Sequence, residues 1–311
     1  MTLAVIGPEA VEGRLEWRAL TRALEAGHAR PRPELADVFM TRHGNTMLSR
    51  HAWVDGLGIA VKVAQVFPGN AERGLPTVDG AMLLFDDATG APEALLDFRM
   101  VTRWKTAGDS LLAGLHLARP DSREVLILGA GTVAGSMIEA WHAGFPEARF
   151  TIWNRTRARA EALAARWSGR LEVAVAEDLP EAVGRADIIT AATMSTEPLI
   201  RGEWLRPGQH LDLIGAFRAD MREADDEALR RARIFVDCRE TVLEHIGELA
   251  DPIARGVIAP EDVVADFYDL PSGRFARRSA DEITLFKNGG GAHLDLMTAR
   301  WILEVWRSAG A

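Results

Sequence analysis

Hydrophobic positions near the N-terminus first follow the period of a helix and then that of strands. Residues 11–27 place leucines and alanines on one helical face, and Gly27 ends this pattern. The apolar segments that follow, each separated from the next by turn-forming residues, are Ala36–Met40, Gly58–Phe67, Ala81–Phe85 and Ala94–Phe98. The pattern predicts one packing helix and a separate β-rich domain.

A second helical pattern begins at Thr106 and combines leucines with small residues. Lys105 and Thr106 then stand at the start of a helix. A cation is not favoured at a helix N-terminus unless an anion is bound there, so Lys105 is a candidate anion ligand and Thr106 a candidate cofactor contact. The alternative for Lys105 is a solvated lysine at an element boundary.

The next apolar run, Val125–Leu128, is typical of a parallel strand that is covered on both faces. It stops at Gly129, and Gly129, Gly131 and Ala134 have the spacing G-x-G-x-x-(G/A). The first position permits a tight turn, the second lets the backbone approach a pyrophosphate, and the small third residue lets a helix close onto the strand.

The context of this turn favours a dinucleotide site. A helix that starts near Thr132 directs its free N–H groups and positive dipole end at the phosphates, so Thr132 and Val133 are candidate cofactor contacts. A second strand, Arg149–Trp153, completes a βαβ unit of the expected size. The alternative is a Rossmann-like turn that binds no nucleotide.

The loop after the second strand reads Asn154-Arg155-Thr156. Sites for NAD usually carry Asp or Glu here to bind the ribose hydroxyls, and this loop has neither. Arg155 can pair bidentately with a 2′-phosphate, and Asn154 and Thr156 can donate hydrogen bonds. The loop predicts NADPH as the cofactor and NADH as a weaker one, whereas the alternative for Arg155 is a solvated turn residue.

Strands and helices continue to alternate after this unit. The predicted segments are helices at Arg157–Trp167 and Leu179–Gly184, and strands at Leu171–Val175, Asp187–Ala192, Leu211–Ile214 and Ile234–Asp237. The carboxyl ends of parallel strands face the ligand crevice, so Thr193, Ser195 and Gly215 are expected near the nicotinamide. Residues 223–233 predict a solvated helix, and further helices are expected at 241–250 and 260–270.

The last part of the chain predicts a strand, a glycine cluster at 289–291 and a helix with a large apolar face. Because that face is too large to be left in water, the helix is expected to pack on the N-terminal domain. Asn288, at the end of the strand, is a candidate cofactor contact. Asp295 either binds a ribose hydroxyl or is simply a carboxylate in the first turn.

Lys62 lies in the otherwise apolar strand pattern GIAVKVAQVF. A lysine that is buried there would need an anionic partner. The alternative is an edge strand from which the ammonium reaches water.

Composition narrows the classes of function. The chain has 311 residues, is 48% hydrophobic and carries a net charge of −9, which argues against nucleic acid and anionic membranes as partners. No apolar run approaches the length of a membrane span, and no Cys/His cluster of metal-site type occurs. The single cysteine, Cys238, suits a reducing compartment. These features predict a soluble cytoplasmic protein that acts on a small molecule.

Across nearly its whole length the chain resembles the ornithine cyclodeaminase/mu-crystallin family. The segments that carry the resemblance are VKVAQVFPGN, GLPTVDGAMLLFDDATGAPEALLD, TRWKTAGDS, LILGAGTVAGSM, TIWNRT, DLIGAFRADMREADDEALRRARIFVD and EITLFKNGGGAHLDL. The resemblance implies an α/β fold with an NADP-binding Rossmann domain at 120–289. It also implies an α/β domain for substrate binding and dimerisation, residues 1–119 with 290–311, and hence a homodimer.

The resemblance also implies which residues bind the substrate. In the family, a strand lysine and an arginine at a helix start hold the substrate carboxylate, and a second arginine comes from the segment before the first strands. Lys62 matches the lysine, and Arg32 is the best match for the second arginine. Lys105 replaces the first arginine, which keeps the charge but loses the rigid fork. Lys62 and Lys105 are therefore the expected catalytic residues.

A second departure from the family concerns the loop after the strand written DLIG. Ornithine cyclodeaminases carry an Asp there that handles the proton of the substrate amine, and this chain has Phe217. Mu-crystallin-like ketimine reductases also lack the Asp, and their cofactor loop resembles TIWNRT. The resemblance therefore implies NADPH-dependent reduction of a cyclic ketimine carboxylate, Δ1-pyrroline-2-carboxylate or Δ1-piperideine-2-carboxylate, to L-proline or L-pipecolate.

Three questions stay open at this point. Phe217 and Trp104 either form apolar walls around the substrate ring or pack in the core. The alternative activities are those of an ornithine cyclodeaminase or an amino-acid dehydrogenase. The alternative without activity is an NADP-binding, crystallin-like protein.

Overall fold

The chain folds into two compact units. A computed structural model describes residues 3–310. The first unit comprises the chain up to Lys105 and again from Gly290 onward, and the second comprises Thr106–Gly289. The division at 105/106 falls inside a helix, so no loop marks it, and the sequence-based division at 119/120 lies further along the chain.

The helices and strands have the following bounds. The helices are α1 (Pro8–Val11), α2 (Trp17–His28), α3 (Phe98–Leu117), α4 (Thr132–Gly144), α5 (Arg157–Ala165), α6 (Leu179–Arg185), α7 (Asp226–Arg231), α8 (Arg239–Val242), α9 (Gly247–Ala254) and α10 (Ala292–Ser308). The strands are β1 (Ala4–Ile6), β2 (Glu34–Arg42), β3 (Asn45–Val54), β4 (Gly58–Val66), β5 (Val78–Phe85), β6 (Pro92–Asp97), β7 (Glu124–Leu128), β8 (Arg149–Trp153), β9 (Val173–Val175), β10 (Ile188–Ala191), β11 (His210–Leu213), β12 (Ala232–Val236), β13 (Val263–Ala265) and β14 (Ile283–Lys287).

Six strands form the sheet of the first unit, in the order β1-β6-β5-β4-β3-β2. Neighbouring strands are antiparallel, except that β1 and β6 are parallel. Helix α10 packs against β3, β4, β5 and α2, as its large apolar face predicts. Gly27 lies within α2 instead of ending it. A Cβ at this position would be 2.5 Å from the Met297 sulfur of α10. The close approach of the two helices therefore requires glycine.

A buried carboxylate also fastens α10 to the sheet. Glu93 of β6 accepts hydrogen bonds from Arg300 at 2.5 Å and from Arg307 at 2.9 Å. Burial of Glu93 opposes ionisation, but the two guanidinium groups hold its pKa below the usual range. This side chain is charged and paired at neutral pH.

Three segments differ from the sequence-based expectation. Strand β3 was not predicted, because its polar and apolar residues do not alternate and most of them are half-buried. The helix predicted at 260–270 is wrong: this segment contains β13, which pairs with β12, between two short 3₁₀ helices. Helix α7 is solvated on one face only, since Ala228 and Leu229 are buried. Strand β13 was missed because its three residues are too few to show a hydrophobic period, and its pairing with β12 leaves no local signal.

Eight parallel strands form the sheet of the second unit, in the order β13-β12-β14-β11-β10-β7-β8-β9. The chain runs outward from β7 in one direction through β8 and β9, and in the other through β10 and β11. The carboxyl ends of β7 and β10 therefore flank the point where the strand order reverses, which is where open α/β sheets bind ligands. This all-parallel sheet confirms the predicted α/β fold.

No helix within residues 3–310 combines the length and the apolar character of a membrane span. No group of His, Cys, Asp or Glu side chains in the same range is arranged to hold a metal ion.

Candidate active site

Lys62 is buried in the first unit and forms an ion pair. It lies on β4, between β3 and β5, so the edge-strand alternative is wrong. Its Nζ atom donates to Asp295 Oδ1 at 2.8 Å, and the two side chains are 7% and 1% exposed. Asp295 is thus the anionic partner that a buried Lys62 needs, and neither sequence-based role for Asp295 includes this contact.

The electrostatics of this pair are set by burial and by neighbouring charges. Burial, above all, lowers the pKa of Lys62 to about 8. The positive charges of Lys105 and Arg50 lower it further, whereas the carboxylate of Asp295 raises it. Burial would raise the pKa of Asp295, but the charges of Lys62, Lys105 and Arg50 together hold it below the usual range. Asp295 is therefore a carboxylate at neutral pH, and Lys62 titrates close to neutrality.

Lys105 lies within α3, about two turns past the first residue of the helix. The expectation that Lys105 and Thr106 begin a helix is therefore wrong, and with it the dipole argument. The helix begins earlier because Asp97 accepts a hydrogen bond from the Met100 N–H at 2.7 Å, an N-cap contact. Lys105 is 6% exposed, and its Nζ lies 3.3 Å from the Gly290 carbonyl oxygen.

Arg50 is a third cation of this cluster, which the sequence analysis missed. It stands directly opposite Lys62 in the pairing of β3 with β4. Its guanidinium donates to the Gly290 carbonyl at 2.5 Å and to Asp37 at 2.9 Å. The Gly290 carbonyl therefore accepts hydrogen bonds from both Arg50 and Lys105. Since β3 was not recognised as a strand, no sequence signal placed Arg50 beside Lys62.

The cation cluster carries more positive than negative charge. Among residues 3–310, Lys62 pairs with Asp295 and Arg50 with Asp37, while Lys105 bonds a carbonyl oxygen, so these three cations and two carboxylates leave one positive charge. Lys62 uses one N–H to bind Asp295, and its other two have no hydrogen-bond partner within residues 3–310. A buried ammonium with two unused donors is a site for a monoanion such as a carboxylate.

Two buried histidines and Arg32 lie near this cluster. Burial, above all, lowers the pKa of His28 to about 4 and the pKa of His293 well below its usual range. The charge of Arg32 makes a smaller contribution in the same direction at both rings. Arg32 itself is exposed, in the segment before β2.

The two aromatic candidates lie in different environments. The Trp104 ring is 4% exposed and stacks on Trp17 with a centroid distance of 4.0 Å, and Trp301 lies 5.8 Å away. Trp104 therefore packs among aromatic residues in the core, as one of the two sequence-based alternatives has it, and its role as a wall of the substrate site stays a prediction. Phe217 follows β11 in the second unit and is 57% exposed, with the Arg218 guanidinium 5.5 Å from its ring.

The glycine loop of the second unit connects β7 to α4. Gly129 has a φ of +113°, and a Cβ there would lie 2.7 Å from the Ala192 carbonyl oxygen, so only glycine fits. Gly131 is the N-cap of α4, has no side-chain cap, and would place a Cβ in open space. Ala134 is fully buried against the strand. The N–H groups of the first turn, at Thr132 and Val133, thus adjoin an open, small-residue cradle that fits a pyrophosphate.

The loop after β8 leaves one arginine exposed. Asn154 donates from its amide to the Thr156 carbonyl at 2.8 Å, and Thr156 is the N-cap of α5. Arg157 is held by Glu161 at 2.7 Å and by Glu177. Within the described residues no hydrogen bond or ion pair engages the exposed Arg155. Its guanidinium is therefore available to an anionic ligand.

A buried glutamate ties together the strand ends after β10 and β11. Glu223 accepts hydrogen bonds from the Thr193 N–H at 2.8 Å and hydroxyl at 2.7 Å, and from the Gly215 N–H at 2.7 Å. Ser195 binds back to the same turn, because its N–H donates to the Thr193 hydroxyl at 3.4 Å. Burial and the neighbouring Glu248 raise the pKa of Glu223 to about 8.

Lys287 is a second buried lysine that the sequence analysis missed. Its Nζ donates to the carbonyls of Leu213 at 2.9 Å and Asn288 at 2.5 Å, at the carboxyl ends of β11 and β14. Burial lowers its pKa, while Glu223 and Glu248 oppose this. The side-chain amide of Asn288 is buried and donates to Asp109, and its role as a cofactor contact stays a prediction.

The lysine count is a signal that could have identified Lys287. The chain contains 33 arginines but only 3 lysines, at positions 62, 105 and 287. All three are at least nine-tenths buried. A chain that uses arginine for every other cation, most of them solvated, reserves lysine for buried positions, where its compact ammonium and adjustable pKa differ from those of arginine.

Known proteins resemble the chain along most of its length. A model of the ornithine cyclodeaminase/mu-crystallin family matches residues 18–310. A Delta(1)-pyrroline-2-carboxylate reductase from Paracoccus denitrificans is 54% identical over 297 residues, which cover 94% of this chain and 94% of that protein.

Solved structures agree with this relationship. The Delta(1)-pyrroline-2-carboxylate reductase of Thermococcus litoralis, in complex with NADH and L-proline, is similar with a TM-score of 0.91 and 27% identity over 99% of each chain. An archaeal alanine dehydrogenase dimer with bound NAD is similar with a TM-score of 0.90 and 28% identity, covering 100% of this chain and 98% of that one.

The two glycines of the loop predict opposite outcomes on substitution. Gly129→Ala is expected to lower stability by about 1–2 kcal/mol, because the left-handed conformation disfavours a Cβ and the Ala192 carbonyl obstructs it. Gly131→Ala is expected to keep the melting temperature but to weaken dinucleotide binding by at least about tenfold, since its Cβ enters the open cradle. Thermal unfolding and fluorescence titration with NADPH measure the two effects. Unchanged NADPH affinity in Gly131→Ala would show that no pyrophosphate lies against this loop.

Proposed function

The chain belongs to the ornithine cyclodeaminase/mu-crystallin family, and we propose that it reduces Δ1-pyrroline-2-carboxylate to L-proline with NADPH. The six-membered analogue Δ1-piperideine-2-carboxylate, which gives L-pipecolate, is the second substrate. The observation that carries the proposal is the 54% identity to a reductase of the five-membered imine, over 94% of both chains. The expectation of a cyclic ketimine reductase agrees with this relative.

The cation cluster supports a substrate with one carboxylate. Lys62 and Lys105 bind the carboxylate, because both are buried ammonium groups and the cluster has one positive charge in excess. Desolvation strengthens this attraction relative to water. Fixing the carboxylate also fixes C2 of the imine, the atom that becomes the α-carbon of the amino acid. Arg32, which is exposed, is the weakest of the proposed substrate ligands.

The second unit supports a nicotinamide dinucleotide as the hydride donor. When bound, the cofactor supplies the hydride, and the protein supplies position and a site from which water is excluded. The loop from Gly129 to Ala134 holds the pyrophosphate, while Thr193, Ser195 and Gly215 at the strand ends lie by the nicotinamide. Thr106, half-buried in α3, remains a proposed contact.

The loop after β8 supports NADPH over NADH. It has no carboxylate to repel a 2′-phosphate, and Arg155 is exposed without a protein partner among residues 3–310. Asn154 and Thr156 flank it and can donate further hydrogen bonds. NADH is the weaker cofactor, since it lacks the group that Arg155 binds.

An amino-acid dehydrogenase is the second candidate. The likeness to an alanine dehydrogenase, with a TM-score of 0.90 and 28% identity, makes this a candidate activity. The absence of the loop carboxylate, with Phe217 in its place, disfavours both activities relative to reduction of a preformed imine.

A comparison of three assays tests the function. Purified protein is expected to oxidise NADPH with Δ1-pyrroline-2-carboxylate, and to release no ammonia from ornithine or alanine with NAD. Lys62→Ala is expected to lower the imine turnover by at least about 100-fold, roughly the value of two lost charge-assisted hydrogen bonds, with unchanged NADPH affinity. Arg99→Ala, which removes an exposed cation paired with Asp79, is the matched control with wild-type turnover.

The outcomes separate the candidates. Ammonia release without imine turnover would assign a dehydrogenase or a cyclodeaminase, and NADPH binding without any turnover would favour the crystallin-like alternative. Full imine turnover in Lys62→Ala would remove this residue from the site.

Arg155 predicts the cofactor preference. Arg155→Ala is expected to raise the KM for NADPH by about 10-fold to 100-fold, which corresponds to a lost charge-assisted pair, and to leave the KM for NADH unchanged. Initial rates with both cofactors measure this. Equal changes for NADPH and NADH, or none, would make Arg155 a solvated turn residue.

We further propose that two copies of the chain form a homodimer through the first unit. Strand β2 is an edge of its sheet, and Val38, Phe39 and Met40 on it are 45%, 66% and 60% exposed. An edge strand with apolar side chains exposed on both faces pairs readily with another chain. The similar alanine dehydrogenase is a dimer.

A charge on β2 is therefore expected to separate the copies. Phe39→Asp should shift the molecular mass from two chains to one in analytical ultracentrifugation. The control is Val5→Asp, an exposed apolar residue of β1 at the opposite edge of the same sheet, which should remain dimeric. A wild-type monomer, or a dimeric Phe39→Asp, would refute this interface.

The cytoplasm is the proposed compartment. The one cysteine, Cys238, is buried and forms no disulfide. Burial raises the pKa of its thiol above the usual range, so the thiol is not reactive. A reductase that uses the cellular NADPH pool fits this location.

A further inference from the structure

The Lys62–Asp295 pair joins two elements that are far apart in the sequence. Lys62 lies on β4 and Asp295 in the first turn of α10, 233 residues later, with 2.8 Å between Nζ and Oδ1. Asp295 Oδ2 is buried and has no hydrogen-bond partner within residues 3–310. Within residues 3–310, only one of the two oxygens of this carboxylate therefore accepts a hydrogen bond.

Stability does not explain such a pair. Removing two charges from water costs several kcal/mol for each ion, and apolar residues of similar volume would serve the core at least as well. A buried carboxylate with one unbonded oxygen adds to that cost. Glu93, which fastens the same helix to the same sheet, differs in this respect, since both of its oxygens bind arginine. Asp295 therefore has a role other than fastening α10.

The charges around Lys62 show what that role is. Lys105 comes from α3 and Arg50 from β3, and both repel a proton on Lys62. The residue opposite Lys62 on β5 is the uncharged Met82, and the Phe98 ring lies 4.8 Å from the ammonium. Among these neighbours, Asp295 is the one whose charge favours the ammonium form of Lys62.

We propose that Asp295 is a positioning residue for the reduction: its carboxylate keeps Lys62 charged in the buried site and engages one N–H, which leaves the other two for the substrate carboxylate. The proposal rests on the proposed imine reduction. Lysine, unlike arginine, can lose its charge near neutral pH, so a lysine in this place requires a nearby carboxylate to remain an ammonium. The burial-lowered pKa of Lys62, about 8, agrees with this need.

Activity toward the imine is expected to fall as the pH rises. Lys62 is charged below its pKa, so kcat/KM for the imine is highest at lower pH and decreases as the pH rises through about 8. Removing the Asp295 charge leaves burial, Lys105 and Arg50 to act unopposed. The pKa of Lys62 then falls, by about 1 to 3 pH units for the loss of an opposite charge in contact, and activity is lost at a correspondingly lower pH.

The small number of lysines makes a direct measurement possible. Protein with ¹³Cε/¹⁵Nζ-labelled lysine contains only 3 labelled side chains, and Lys62→Arg identifies the signal of Lys62. An NMR pH titration without substrate or cofactor should give a lower pKa for Lys62 in Asp295→Asn than in the wild type. The alkaline limb of kcat/KM for Δ1-pyrroline-2-carboxylate should move to lower pH by the same amount. The dissociation constant for NADPH should stay unchanged.

Two further variants separate positioning from a merely structural role. Asp295→Glu keeps the carboxylate and should return the alkaline limb toward its wild-type position. Glu93→Gln removes the other buried carboxylate that fastens α10, so it should lower the melting temperature without moving the limb. The substrate ionises in the same way with every variant, so a difference in the position of the alkaline limb between two variants reports on the protein.

The outcomes are distinct. An unchanged Lys62 titration in Asp295→Asn overturns the role of Asp295, whatever the activity. The same displacement of the limb in Glu93→Gln also overturns it. A lowered pKa in Asp295→Asn, together with a wild-type protein that does not turn over the imine, refutes the proposed function while supporting the control of the Lys62 charge by Asp295.

Discussion

The charge state of Lys62 depends on one buried ion pair, which this strand lysine forms with Asp295 of the C-terminal helix. Without Asp295, Lys62 would be a buried cation beside two others, which is among the costliest arrangements in a protein interior. The place of α10 on the sheet and the charge state of Lys62 are therefore coupled. The same segment supplies the Gly290 carbonyl to Lys105 and Arg50, so the start of α10 organises all three cations.

The second unit also contains a buried lysine with carboxyl groups nearby, and there it lies at the ends of the strands. Lys287 lies below the carboxyl ends of the parallel strands, where it binds backbone carbonyls and faces Glu223 and Glu248. Glu223 in turn holds the strand-end turns at Thr193 and Gly215. The hydrogen bonds from Thr193 and Gly215 to the buried Glu223 hold both turns in one geometry, which a crevice for a dinucleotide requires.

The sequence was most reliable where the signal is local. The glycine loop, its βαβ unit and the core strands were placed correctly, because turn geometry and burial act on neighbouring residues. Prediction failed where pairing between distant segments decides the structure, as at β3, β13 and the first turns of α3. The dipole argument for Lys105 fails because α3 begins at Phe98, which leaves the family resemblance as its sequence support, and Arg50 is missed because its strand is not recognised. The stacking of Trp104 on Trp17 likewise depends on a helix distant in the sequence, so the sequence could not choose between its two alternatives.

By itself the sequence determined the α/β class, the family, the position of the nucleotide loop and the need of Lys62 for an anion. Only the tertiary structure decided that this anion is Asp295, that Arg50 and Lys105 share one carbonyl, and that Glu223 holds two strand ends together. The physical reason is that backbone conformation depends on adjacent residues, whereas the partner of a buried charge depends on which distant elements the fold brings within about 3 Å of it.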